Sequence, residues 1–242
     1  MELAIAPVEW ALATVVVIAG TVLQGSLGFG VALVGAPLLY LVDPVLVPGP
    51  MIVAGMAVPV LLVWRERRGV VAGEVVRVLP GMVLGIALAA VVLRVISADA
   101  LGLLFGGLVL LAVVLSLLGR PLAPGWRTLF VAGGLSGFMA TTTSIGGPPL
   151  ALAFQHAGGT RLRGTLSACF VPGALLSLLA LHSSGHLGAR ELALGVSLLP
   201  GVVLGFWVSA YTARALDRHW LRGAVLAVSA LAAVAAIVRA LF

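Results

Sequence analysis

Four consecutive hydroxyl residues, Thr141, Thr142, Thr143 and Ser144, stand just before a Gly-Gly-Pro-Pro run, Gly146 to Pro149. Hydroxyls supply hydrogen-bond donors without charge. Proline lacks an N–H that the first helical turn does not need, so Pro148 and Pro149 predict a new helix starting there. A helix N-terminus gathers free N–H groups and about half a positive charge, which suits a small anion. Thr141, Thr142, Thr143, Ser144, Gly146 and Gly147 are therefore candidate substrate-binding residues. A second string, Gln24, Ser26, Gly28 and Gly30 leading toward Pro37, offers a similar mix of donors and bare backbone. Those four are candidates as well. Glycine and small hydroxyl residues also serve as plain packing at membrane helix contacts, the role expected of Gly81 and Gly85.

Few other residues offer chemistry. His156 follows Gln155 after the second string and is the candidate for proton coupling. His182, His186 and His219 read as connector residues. The eight acidic residues flank apolar runs, so no mid-membrane carboxylate of the kind that relays protons is evident. The single cysteine, Cys169, excludes an intrachain disulfide and a cysteine metal cluster. No catalytic residue, metal site or cofactor is expected.

The elements that must position these residues follow from composition. Hydrophobic residues make up 62% of the 242 positions and charged residues 9%, and the mean hydropathy is +1.23. Soluble domains carry about 25% charged residues, so this chain belongs in a bilayer. The net charge of +6 comes from 14 arginines in short connectors, with no lysine and no basic cluster interleaved with aromatics, which argues against nucleic acid. The N-terminus lacks the basic region of a signal peptide, so Val8 onward reads as membrane structure. About 20 apolar residues span the hydrocarbon core. Six runs fit: 45–64, 78–97, 100–119, 164–182, 192–213 and 221–241. The stretches 8–42 and 128–156 are interrupted by the two strings above.

The interrupted stretches resemble each other. At an offset of 112, Gly25, Gly35, Pro37 and Leu38 align with Gly137, Gly147, Pro149 and Leu150. At an offset of 120, Leu79-Pro80-Gly81 and Val83-Leu84-Gly85 align with Leu199-Pro200-Gly201 and Val203-Leu204-Gly205, and Arg94 with Arg214. Two repeats, 1–123 and 124–242, follow. If 128–156 enters and leaves on one face, eleven arginines share a side and only Arg94, Arg190 and Arg239 lie opposite, which obeys the positive-inside rule. The first stretch becomes a hairpin by analogy. The expected fold is an all-α integral membrane protein of two inverted repeats, each a broken-helix hairpin plus three transmembrane helices, a plan that places the site where the breaks meet.

The string Gly134-Leu135-Ser136-Gly137-Phe138 through Gly146-Gly147-Pro148-Pro149-Leu150, followed by Arg163-Gly164-Thr165, resembles the second-half signature of the sulfite exporter TauE/SafE family. Gly25 to Pro37 resembles that family's first repeat, with Gly30-Val31-Ala32 less glycine-rich than usual. The resemblance implies export of sulfite, a sulfonate or a related oxyanion across a bacterial inner membrane. An anion channel and a proton-coupled uptake carrier of the same fold are the alternatives. An intramembrane enzyme is a distant third: Gly134-Leu135-Ser136-Gly137 matches the Gly-x-Ser-Gly of rhomboid proteases, whose asparagine this chain cannot provide. The expected partners are a small anionic substrate and the lipid bilayer, with a homodimer left open. A potential negative inside drives an anion outward by about 2.3 kcal/mol per charge per 100 mV, so export needs no coupled proton.

Overall fold

The computed structural model describes residues 5–27, 31–117, 125–154, 157–212 and 218–241. The described chain is helical throughout, with no strand. Helix α1 (Pro7–Leu27) is followed by the shorter α2 (Val31–Val42). A 3-10 turn at Pro44–Leu46 leads into α3 (Gly49–Gly55) and α4 (Ala57–Arg65). The long helices α5 (Ala72–Val95) and α6 (Ala98–Leu117) complete the first half. The second half consists of α7 (Trp126–Thr143), α8 (Gly147–Ala153), α9 (Gly159–Ser183), α10 (Ala189–Thr212) and α11 (Arg218–Leu241).

Among the described residues, six helices are long and apolar enough to cross a membrane: α1, α5, α6, α9, α10 and α11. The membership differs from the sequence expectation in one place. Residues 45–64, read as one unbroken span, form a turn and two consecutive short helices, which together still run from the Leu187 end to the Arg163 end. Pro59 has no N–H to give to the Gly55 carbonyl, and the next bond, Val60 to Met56, is long at 3.3 Å. The helical ladder is therefore interrupted at Met56. The place in the set of six is taken by α1, the first arm of the stretch 8–42.

The chain reverses at both interruptions. Ser144 closes α7 in the left-handed region at φ +64°, a conformation rare for a non-glycine residue. The turn brings Gly146 back to α7, where its carbonyl accepts from the Ser136 hydroxyl at 2.6 Å. From there α8 returns along α7.

Contacts sort the helix ends into two groups. At one end, Arg161 pairs with Glu74, and Arg163 pairs with Glu66. At the other, Arg94 donates to Ser183 O at 3.1 Å and Arg239 donates to Leu41 O at 3.4 Å. Gly49 lies there too, against Leu187. Helix α7 runs parallel to α5 in a seam of glycines: a Cβ on Gly81 would overlap the Phe130 carbonyl, and one on Gly85 the Gly134 carbonyl. Helix α1 runs parallel to α10, with the Trp10 Nε1–H on Ser197 Oγ at 3.0 Å and Gly205 against Ile18 and Thr21. Thus α7 and α8 start and finish toward the end bearing Arg161 and Arg163, whereas α1 and α2 do so toward the end bearing Arg94 and Arg239.

Candidate functional site

Between the two hairpins lies a cavity of about 150 Å³. The space is large enough for several waters or one small solute. The first hairpin contributes Gln24, Ala32 and Leu33, and the second contributes Ser136, Gly137, Ala140 and Ser144 to Pro148. Helices α3 and α4 supply Met51, Ile52, Met56, Pro59 and Leu62, and α5 supplies Met82 and Ile86.

The longest wall is α9. Arg163, Leu166, Ser167, Phe170, Gly173, Ala174 and Ser177 line the cavity in steps of three and one. Residues at that spacing share one helix face. At 1.5 Å per residue the face runs about 21 Å, from the arginine-rich end past the middle of the helix. Beyond it, Ile52, Leu93, Leu181 and Leu187 form a buried apolar cluster toward the opposite end. The cavity is therefore walled at that end by hydrocarbon, and the partly exposed Arg163 stands at the other.

The sequence-predicted residues divide by what their donors already do. Thr141 Oγ1 lies 2.9 Å from Gly137 O and 2.8 Å from Ser177 Oγ. With its proton on the Gly137 carbonyl, Ser177 donates to Thr141. Thr142 donates to Phe138 O at 2.8 Å, and Thr143 to Met139 O at 2.7 Å. These are the back-bonds that Thr makes to the preceding turn of its own helix. All three threonines are buried and stand behind the cavity wall. Ser144 lines the cavity while donating to Pro48 O at 3.0 Å.

The uncommitted donors are elsewhere. Gly146 and Gly147 line the cavity, and their N–H groups have no acceptor among the described residues. Pro148 and Pro149 fall in the first turn of α8 as expected, but they also remove two of its N–H groups, so this helix start is poorer in donors than an ordinary one. Gln24 lines the cavity with its amide unpartnered among the described residues. Ser167 is only 3% exposed, and its hydroxyl donates to no described acceptor because it opens on the cavity itself. Ser26 lies in α1, while Gly28, Gly30 and His156 fall outside the described residues.

Ser136, Ser167, Ser177 and Arg163 were not among the sequence candidates. The three on α9 had a readable signal, since small, polar and aromatic residues recur there at helical spacing. Ser136 has its hydroxyl on the Gly146 carbonyl at 2.6 Å, which ties the hairpin shut and is unlike a nucleophile held on a base. Arg163 is one turn from Ser167, at the end of the cavity.

Residues 12–236 match the sequence model of the family described as Sulfite exporter TauE/SafE. No curated protein matches, and no solved structure matches.

Proposed function

The chain belongs to the sulfite exporter TauE/SafE family, a family of membrane transporters, and from that premise we propose that it exports a small sulfur-containing oxyanion, sulfite or a short sulfonate, across a bacterial inner membrane. The observation that carries the reading is the set of uncommitted donors on the cavity. Gln24, Ser167, Gly146 and Gly147 carry uncommitted N–H and O–H groups on a lining that is largely apolar. Such donors hold an oxyanion through partial charges. Binding is firm enough to displace water yet loose enough for release, because no full cation sits at the middle of the cavity. Thr141, Thr142 and Thr143 join the site as the layer behind it, fixing the tip of the hairpin and the Ser177 hydroxyl.

The same reading includes two inverted repeats. Its support is the pairing of parallel neighbours: α5 with α7 starting from one end, and α10 with α1 starting from the other. Under this plan the hairpin tips meet at the cavity and alternating access is a rocking of one set of helices against the other. The buried cluster of Ile52, Leu93, Leu181 and Leu187 is then the seal that must part to release the anion.

Proteoliposomes test the function. An imposed potential should move labelled sulfite or methanesulfonate toward the positive side without a pH gradient, and the His156→Gln variant should keep that movement. Strict dependence on a proton gradient, lost on His156→Gln, would replace potential-driven export by proton coupling. No movement of either anion under any gradient would reject the substrate class.

A further inference from the structure

We propose that Arg163 is the first contact of the incoming anion, and that Glu66 is a built-in competing carboxylate that holds Arg163 until the anion displaces it. This rests on the anion-transport reading and adds a mouth to it. Arg163 is the one charged side chain among the described residues that line the cavity. It comes from the first turns of α9, one turn before Ser167 and on the same face, so the guanidinium and the Ser167 hydroxyl form successive stations on one wall.

The geometry of the pair is unequal. Arg163 gives both Nε and Nη2 to a single oxygen, Glu66 Oε1, at 3.2 and 3.1 Å. Two parallel bonds to two oxygens would be the strong arrangement of this pair. Its Nη1 edge has no acceptor among the described residues. The same Glu66 oxygen also accepts from Arg65 Nε at 3.2 Å. Two guanidiniums share one carboxylate, so the mouth keeps a net positive charge. An arriving oxyanion meets a free guanidinium edge and a Glu66 bond that it can replace in kind. The carboxylate matters because a bare arginine against a low-dielectric wall would hold an anion tightly and slow its passage inward. Glu66 is itself buried, its side chain 11% exposed, while that of Arg163 is 34% exposed. Glu66 stands behind the arginine and outside the cavity lining, which makes it a positioning residue for the charge that the anion touches.

The pair also joins the two halves of the chain, so a structural tie must be separated from an anion site. The charge-swapped variant Glu66→Arg with Arg163→Glu does so, since it restores the ion pair but turns the carboxylate toward the cavity. The detergent-purified full chain is titrated with sodium sulfite against sodium chloride at equal ionic strength, reading the shift in thermal unfolding by tryptophan fluorescence. The wild type should show sulfite-dependent stabilisation. Arg163→Gln and the swap should each weaken the apparent affinity about tenfold or more, the loss of a charge-assisted bond. Glu66→Gln should tighten it several-fold and lower the maximal transport rate in proteoliposomes, a split that a purely structural residue would not produce. If the swap fails to fold, the neutral pair Glu66→Gln with Arg163→Gln should show the same loss of affinity. Sulfite affinity restored by the swap, or unchanged in Arg163→Gln or the neutral pair, would overturn the proposal. So would a wild type that sulfite does not stabilise. A wild type that binds sulfite through Arg163 yet transports no sulfur oxyanion would instead reject the transport reading and leave the mouth standing.

Discussion

At the residue scale the decisive property is whether a donor is already taken. A hydroxyl has one proton, and Thr142 and Thr143 place theirs on carbonyls one turn back in their own helix. Ser167 places its proton on no described acceptor. Replacing Ser167 by Ala should therefore weaken sulfite binding about tenfold, the loss of a hydrogen bond to a charged group. Gln24→Leu should act in the same direction. Thr142→Val removes a back-bond that stabilises little and should leave the transport KM within about twofold of wild type. Concentration series of labelled sulfite in proteoliposomes measure all three. Equal losses in Thr142→Val and Ser167→Ala would show that the threonine layer and the cavity wall act as one site.

At the element scale the hairpins are held by backbone contact more than by side chains. The α5–α7 seam brings Gly81 and Gly85 against the carbonyls of Phe130 and Gly134. A methyl group there has no flexible neighbour to push aside, because the obstacle is another helix's backbone. Gly81→Ala should thus lower the unfolding temperature and the yield of folded protein, with overpacking of this kind typically costing about 1–3 kcal/mol or more. Gly107, in α6, has open space around a hypothetical Cβ. Its change to Ala should be neutral or stabilising by up to about 1 kcal/mol, as for a helix-interior glycine. Thermal unfolding in one detergent compares the two; equal effects would mean that the seam yields. Ser144 marks the other constraint on these elements. Its φ of +64° favours glycine, yet its hydroxyl ties the hairpin tip to Pro48 O in the first half.

At the scale of the whole molecule, charge and packing divide the ends in the same way. The ion pairs Arg161–Glu74 and Arg163–Glu66 mark one end, and Arg94 with Ser183 and Arg239 with Leu41 mark the other. The richer end should face the cytoplasm under the positive-inside rule. A fluorescent protein fused after Phe242 should then stay dark, because it folds poorly after export. Bright cells would place the C-terminus in the cytoplasm and break the inverted plan. An anion entering at the Arg163 end would, in this orientation, come from the cytoplasm, the loading side for export.

The sequence by itself determined the solvent, the helical class and the two chain breaks. An apolar composition excludes water as the surrounding medium, backbone in lipid must bond internally, and Gly-Gly-Pro-Pro cannot continue a helix. It also carried the family signature and the end-to-end charge asymmetry. It read 45–64 as one unbroken span, because apolar length alone does not reveal that Pro59 interrupts the hydrogen-bond ladder there, while Pro172 sits inside the continuous α9. Only the tertiary structure decided which hydroxyls face the cavity. Four adjacent hydroxyls read alike in the chain, but a helix turns each by about 100° per residue and offers every Thr a carbonyl of its own preceding turn. It likewise took folding to set Arg163, a connector arginine in the sequence, beside both the cavity and Glu66, 97 residues away along the chain. That distance is closed by packing between the two halves, and local residue preferences carry no information about it.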